Sequence, residues 1–351
     1  MTDKRRRLVG LILVAALALT ACGPKKAATP RVLAMETGTE VATLGEEPIY
    51  LEEALFYTRM LQEQWEYTYY ESFGETMWQQ EASDDGQTLE ELLKKSVMET
   101  LTELHLLCAH ASEYGVELTD EEQQEIAGSA QNFLENNTDA VLEAAGADLE
   151  KVTWYLTRNR LAEDVAEKIQ NEFEPEVSEE EARVGRLTYA LFSVTGTYDA
   201  EGNHTAFTGE EQQEIEASAR AFAARAQELG DITAAGEEVS HTVIDVYFND
   251  RTNGGAHEAV ADAARALPVG GVSDVIETED GWYVVQHVSD LDEEATAENL
   301  EELKLSAKQA HLKGLEDAWI AETPLVIDDA VWDTVKIDDL LIPVGGDGSH
   351  S

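Results

Sequence analysis

The sequence predicts an α+β protein, with a helical module drawn from both ends of the chain and a mixed strand-and-helix domain between them. Three observations predict this. Apolar residues recur at helical spacing in four stretches between residues 51 and 173. From Leu187 the pattern turns β-rich, as Leu187-Thr188-Tyr189-Ala190-Leu191-Phe192-Ser193-Val194. From about Ala295 to Ala321 the spacing is helical again, through Leu300, Leu303, Ala307, Ala310, Leu315, Ala318 and Trp319.

At the start of the chain, Lys4, Arg5, Arg6 and Arg7 precede an apolar run from Leu8 to Ala21. A membrane-spanning helix needs roughly 20 apolar residues, so this shorter run behind a basic head reads as a cleavable signal peptide over residues 1–21. Leu19-Thr20-Ala21-Cys22-Gly23 resembles a bacterial lipobox, which implies a lipid on the Cys22 sulfur and an anchor on the outer face of a membrane. Residues 22–30 have no apolar periodicity and read as a tether, with Lys25 and Lys26 suited either to anionic head groups or simply to a soluble linker.

Residues 41–50 read as strand, turn and strand leading into a helix with Leu51, Leu55, Thr58, Leu61, Trp65 and Tyr69 on one stripe. Thr88 with Glu91, and Thr119 with Glu122, form capping boxes that open the next two helices. The first carries Leu89, Leu93, Val97, Leu101, Leu104, Cys108 and Ala111, and is closed off by Gly115; the second carries Ile126, Ala130 and Phe133. A fourth helix follows Asp148 with Val152, Tyr155, Ala162, Ile169 and Phe173, and Pro175 stops it. Ser178 with Glu181 marks a short cap before the β-rich run.

In the second domain, residues 196–209 read as a polar hairpin and 210–229 as a helix with Ile215, Ala219, Phe222 and Ala226 inward. Next come a strand over 242–248 and a short helix over 259–267. Strands at 272–276 and 282–288 form a hairpin across Glu279-Asp280-Gly281.

Composition excludes one class of partner. The chain has 72 acidic and 24 basic residues and a formal charge of -48, which becomes -51 once residues 1–21, with four basic and one acidic residue, are removed. Phosphate backbones need clustered Lys and Arg, so no nucleic-acid partner is expected. Of two cysteines, an acylated Cys22 leaves Cys108 without a disulfide partner in the chain, as a small buried hydrophobe on a helical stripe. The eight histidines show no metal-ligand spacing, and no metal or cofactor is expected. Asp199, Glu201, Asn203 and Glu210 mimic part of a calcium loop, but Gly202 is at the fourth position instead of the sixth, so the segment reads as a polar loop.

Three segments together carry a family resemblance. They are Val41 to Leu51, Gly115-Val116-Glu117-Leu118-Thr119-Asp120-Glu121-Glu122, and Ala263 to Ser273 followed by Asp280-Gly281-Trp282-Tyr283-Val284-Val285. In this order, with a lipobox in front, the chain resembles the PrsA and SurA group of extracytoplasmic folding factors. The resemblance implies that residues 31–177 and 290–343 form one SurA-like helical chaperone module around a parvulin-like domain at 183–289, before a flexible tail at 344–351. It implies unfolded or nascent secreted polypeptides as partners and peptidyl-prolyl isomerisation as the family activity. Rotation about an X-Pro bond crosses a barrier of about 20 kcal/mol and needs an apolar pocket with hydrogen-bonding groups, not a covalent step.

Residue by residue, the two family histidines fall on Tyr189 and Tyr283, the phenylalanine of the short helix near Val260 and the methionine near Ala256, while Asp245 and Phe248 match loosely across an insertion at 249–255. The resemblance thus places Tyr189, Asp245, Phe248 and Tyr283 around a substrate proline. Tyrosine donates a hydrogen bond but is bulkier than histidine and stays protonated at neutral pH, so two readings stand: a retuned site, or two core aromatics in a non-catalytic holdase. In the first helices Trp65, Tyr67, Tyr69, Tyr70, Phe73 and Trp78 exceed what one stripe buries. Trp65, Tyr69 and Trp78 are expected to line a groove for extended peptide, the alternative being packing beneath another part of the protein. A solute-binding lipoprotein would require strand-helix alternation in two lobes, which is missing. No motif sets the oligomeric state.

Overall fold

A computed structural model describes residues 38–198 and 204–342. The expected signal peptide, Cys22, the tether, most of the calcium-like loop and the tail from 344 lie outside the described residues. The path is β1 (Glu40–Leu44), β2 (Glu47–Tyr50), α1 (Leu51–Phe73), a 3₁₀ segment (Gly74–Gln79), α2 (Leu89–His110), α3 (Asp120–Asn136), α4 (Asp139–Ala145), α5 (Leu149–Glu172), α6 (Glu179–Ala182) and β3 (Gly185–Ser193). It continues with β4 (Thr197–Tyr198), β5 (His204–Thr205), α7 (Gly209–Leu229), α8 (Ile232–Val239), β6 (Val243–Phe248), α9 (Glu258–Ala266), β7 (Ile276–Thr278) and β8 (Gly281–Ser289). It ends with α10 (Glu293–Glu322), β9 (Leu325–Ile327) and α11 (Asp329–Trp332).

The chain divides into two compact units, one of residues 1–173 and 309–351, the other of 174–308. The division falls inside α10, later than the 289/290 boundary read from the sequence. The reason is local: the Asp292 amide donates to the Val184 carbonyl at 2.7 Å, the Val184 amide to Thr296 Oγ1 at 3.0 Å, and Asn299 Nδ2 to the Ala182 carbonyl at 2.7 Å. These bonds tie the first turns of α10 to the lead-in of β3.

In the first unit the capping boxes form as expected. Thr88 Oγ1 accepts the Glu91 amide at 3.2 Å while Glu91 Oε2 accepts the Thr88 amide at 2.8 Å, and Thr119 with Glu122 repeats the arrangement. From that start α2 buries Leu89, Leu93, Val97, Leu101 and Leu104, a stripe of four- and three-residue steps, against α1 and α5. Phe56 of α1 stacks on Tyr155 of α5 with ring centroids 4.1 Å apart. The sequence reading had no strand after α10. β9 nonetheless pairs antiparallel with β1, Ala42 opposite Ile327 and Leu44 opposite Leu325, giving the sheet order β2-β1-β9.

The last described residues are held by buried charge. Glu66 is fully buried; its Oε2 accepts the amides of Leu341 at 2.7 Å and Ile342 at 3.0 Å, and its Oε1 accepts Gln62 Nε2 at 2.7 Å and the Trp78 indole N–H at 3.1 Å. Four donors replace the water lost on burial, which is what makes an interior carboxylate tolerable. Lys94 Nζ donates to the carbonyls of Trp332 at 2.9 Å and Val335 at 3.2 Å.

The second unit is a four-stranded antiparallel sheet, order β6-β3-β8-β7, with helices on both faces. Strand alternation sorts its residues. Leu187, Val246, Phe248, Tyr283 and Val285 pack with Val260 and Ala264 of α9, whereas Ala190 and Val284 pack with Phe222, Ala226, Ile232 and Ala235 of α7 and α8. Helix α8 was not expected from the sequence. It starts where Asp231 accepts the amides of Thr233 at 2.9 Å and Ala234 at 3.0 Å, directly after Gly230 closes α7 at φ 64. Of the strand expected over 272–276, Val272 makes an isolated antiparallel bridge to Gln286 and Ile276 opens β7, which pairs with β8 through a turn in which Gly281 (φ 140) has no room for a Cβ against the Phe192 carbonyl.

Candidate functional site

The most chemically suggestive place in the second unit is the α9 face of its sheet. Tyr189 on β3 and Tyr283 on β8 are offset by two residues, since Tyr189 pairs with Val285 and Tyr283 with Leu191. Side chains at such diagonal positions reach one another when they are aromatic, and the two rings lie 5.5 Å apart at 56°. Beneath them Leu187, Val260 and Val285 are fully buried, and Leu191 and Ile276 are half-buried at the edges. Tyr283 is 6% exposed; burial, then the charge of Asp280 and the neighbouring Tyr189, raise its pKa, so it remains a neutral phenol and a hydrogen-bond donor. No hydrogen bond joins either hydroxyl to a described residue.

The four residues placed around a proline by resemblance do not all meet. Tyr189 and Tyr283 do. Phe248 is on the same face but pairs with Gly185, four residues along β3 from Tyr189, or about 13 Å at the usual rise per strand residue. There it packs beneath the Arg265 guanidinium, 5.4 Å from its ring, and 5.8 Å from the His287 ring. Asp245 lies on the opposite face, where it accepts a short hydrogen bond from the Thr188 hydroxyl. Within β6 its odd position excludes it from the even-numbered face of Ile244, Val246 and Phe248. Val260 and Ala256 do line the tyrosine side of the sheet.

A residue the sequence reading passed over joins the pair. His257, the N-cap of α9, has its ring 6.1 Å from that of Tyr283. No spacing rule would have found it, because its position depends on how α9 crosses the sheet.

In the first unit the aromatic residues of α1 form a ladder. Trp65 contacts Tyr69 at 5.8 Å, Tyr69 contacts Phe73 at 6.3 Å, and Trp65 stacks on Trp78 at 6.4 Å and 15°. Trp78 is 1% exposed and its indole N–H is held by Glu66, so it forms the floor of the ladder and offers no surface of its own. Trp65 and Tyr69 stay half-buried, and Tyr67 on the neighbouring face is 62% exposed.

The same unit holds a buried ionic cluster. His105 bonds Glu47 through Nδ1 at 3.0 Å and Glu53 through Nε2 at 3.1 Å, while Arg158 approaches Glu53 at 3.7 Å and Glu47 at 3.8 Å. Burial opposes charging His105, but hydrogen bonds from both ring nitrogens to carboxylates raise its pKa, and the bond to His105 lowers that of Glu47. With both nitrogens donating, the ring is an imidazolium and neither is free for a metal. Among the described residues no group of three or more His, Cys, Asp or Glu side chains is placed to hold a metal ion. Cys108 donates to the Arg158 carbonyl at 3.4 Å, and burial pushes its thiol up to about 11, which makes it unreactive at neutral pH.

The fold so described is a helical unit with a small three-stranded sheet, plus a unit in which helices cover both faces of an antiparallel sheet. Solved structures of PrsA and SurA-like chaperones are similar to this chain. The foldase protein PrsA from Streptococcus pneumoniae is 19% identical, with 72% of this chain and 97% of that one covered at a TM-score of 0.30. A SurA-like chaperone of Campylobacter jejuni is 10% identical over 83% of this chain and 99% of that one, TM-score 0.30. The peptidylprolyl isomerase PrsA from Bacillus cereus is 17% identical over 72% and 94%, TM-score 0.29. No protein-family model and no curated protein matches the sequence. Among the described residues no helix is long and apolar enough to cross a membrane.

Proposed function

We propose that this chain is an extracytoplasmic folding factor, anchored by a lipid on Cys22, which binds unfolded secreted polypeptides. In this reading residues 31–177 and 290–343 form the helical chaperone module and 183–289 a parvulin-like domain. The observation that carries it is the pair of tyrosines on the α9 face. Two phenols without a bond to a described residue sit over an apolar floor, which is how a site for an extended peptide is built: apolar walls and few polar groups. The half-buried Trp65 and Tyr69 offer a second apolar surface on the helical unit.

A second reading, a holdase without isomerase activity, draws on the depth of Tyr283. At 6% exposure this ring occupies space that a smaller imidazole would leave to a proline. Proline-limited refolding of a reduced model protein separates the two, with rate and aggregated fraction both scored. A faster slow phase that disappears in the Tyr189→Phe/Tyr283→Phe variant supports isomerisation. Reduced aggregation at an unchanged slow phase supports the holdase. Absence of both effects would overturn the folding-factor reading.

A further inference from the structure

Resting on that reading of the tyrosine face, we infer that His257 is a third ligand-binding residue there, whose Nε2–H donates to a backbone carbonyl of a proline-bearing peptide that is neutral or basic. The proton's place follows from the helix cap. His257 Nδ1 accepts the Ala259 amide at 3.2 Å, so in the neutral ring Nδ1 carries the lone pair and Nε2 the hydrogen. Nε2 has no hydrogen-bond partner among the described residues, and neither has the hydroxyl of Tyr189 or Tyr283. The three rings form a row, Tyr189 to Tyr283 at 5.5 Å and Tyr283 to His257 at 6.1 Å. Three polar tips above Val260 and Val285 are therefore left to solvent or to a ligand, and an extended peptide, rising about 3.3 Å per residue, presents every second carbonyl to the same side, about 6.6 Å apart and close to the spacing of these rings.

The surrounding charge selects the peptide. Asp280 acts on Tyr283 strongly enough to help raise its pKa, Glu277 and Glu279 flank the same turn, and Glu258 follows His257 in the chain. The nearest arginine of α9, Arg265, is paired with Asp262 at 3.2 Å and lies over Phe248 at the other end of the face. Acidic segments are repelled, whereas a lysine or arginine beside the proline is attracted.

The test is calorimetric titration of the full chain with two blocked tetrapeptide amides, Ala-Lys-Pro-Phe and Ala-Glu-Pro-Phe. The informative variant is His257→Asn, because asparagine still caps α9 but is too short to carry a donor to the peptide carbonyl beside Tyr283. The expected result is tighter binding of the lysine peptide, and an affinity roughly five- to tenfold weaker in His257→Asn at an unchanged thermal midpoint, the loss of one hydrogen bond. His257→Phe, which keeps a ring and loses the donor, is expected to weaken binding by the same factor. Parent-like affinity in both variants overturns the inference and leaves the tyrosine face intact as a site. Failure of the parent chain to bind either peptide overturns the reading of the face and the inference with it.

Discussion

Replacing Glu316 with glutamine is expected to stabilise the protein at alkaline pH and to leave it unchanged near pH 4.5. Glu316 is on the second half of α10, 6% exposed, and its Oε1 is buried with no hydrogen-bond partner. Burial first, then the charge of Glu103 across from it, raise its pKa from 4.5 to about 7, and Lys313 offsets only part of this because it is engaged by Asp317. A carboxyl whose pKa is higher folded than unfolded binds more protons in the folded state between those two values. Stability from this group is thus fully present below about 4.5 and lost as pH rises through about 7. A shift of about 2.5 units corresponds to roughly 3 kcal/mol at pH 8, an upper bound, since the amide of Glu316→Gln also lacks a partner. A net gain of about 1–2 kcal/mol is expected there, several degrees in thermal midpoint at about 2–4 °C per kcal/mol. Midpoints measured from pH 4.5 to 8.5 should diverge from the parent's only above pH 5. The exposed Glu302→Gln removes the same charge from the same helix and controls for general repulsion. A Glu316→Gln shift that is equal at pH 5 and pH 8, or no larger than that of Glu302→Gln, refutes the reasoning.

Glu66→Ala is expected to cost about 3–5 kcal/mol in urea unfolding, because it strands the Leu341 and Ile342 amides and the Trp78 indole; a loss under 1 kcal/mol would contradict their role in holding the end of the chain. His105→Gln should lower stability most between about pH 4.5 and 6.5, the ordinary values of Glu47 and His105, where the lowered pKa of Glu47 and the raised pKa of His105 leave both charged, and the deficit should shrink as the parent's imidazolium titrates at higher pH. Thr88→Ala removes one half of the α2 capping box and should cost about 1 kcal/mol without changing binding of the lysine peptide, checked by urea midpoint and calorimetry. Cys22→Ser is expected to move the chain from the detergent phase to the aqueous phase of a cloud-point separation; retention in the detergent phase would contradict a lipid anchor.

Local chemistry was readable in advance wherever a few neighbouring residues suffice. The Thr88, Thr119 and Ser178 boxes form where a hydroxyl precedes a glutamate by three positions, and the β1–β2 hairpin forms at 40–50. The separation of Asp245 from Phe248 was readable too, since residues three apart in an unbroken strand face opposite ways. Helix α8 was missed because its eight residues are too few for a periodic pattern, and β9 because its three residues become a strand only by pairing with β1, some 280 positions earlier. The row of rings at Tyr189, Tyr283 and His257 joins two strands and a helix start, and no pattern within any one of them announces it.

The charge of -48, the helical stripes and the change to β-rich sequence near residue 187 belong to the sequence alone, because each depends on composition or on neighbours within a few positions. Only the tertiary structure decided which few of 72 acids lie inside. Nothing around Glu66 marks it apart from the exposed Glu71. It is buried because two backbone amides some 275 residues away arrive to replace its water, and a carboxylate can leave solvent only where donors from the rest of the fold meet it.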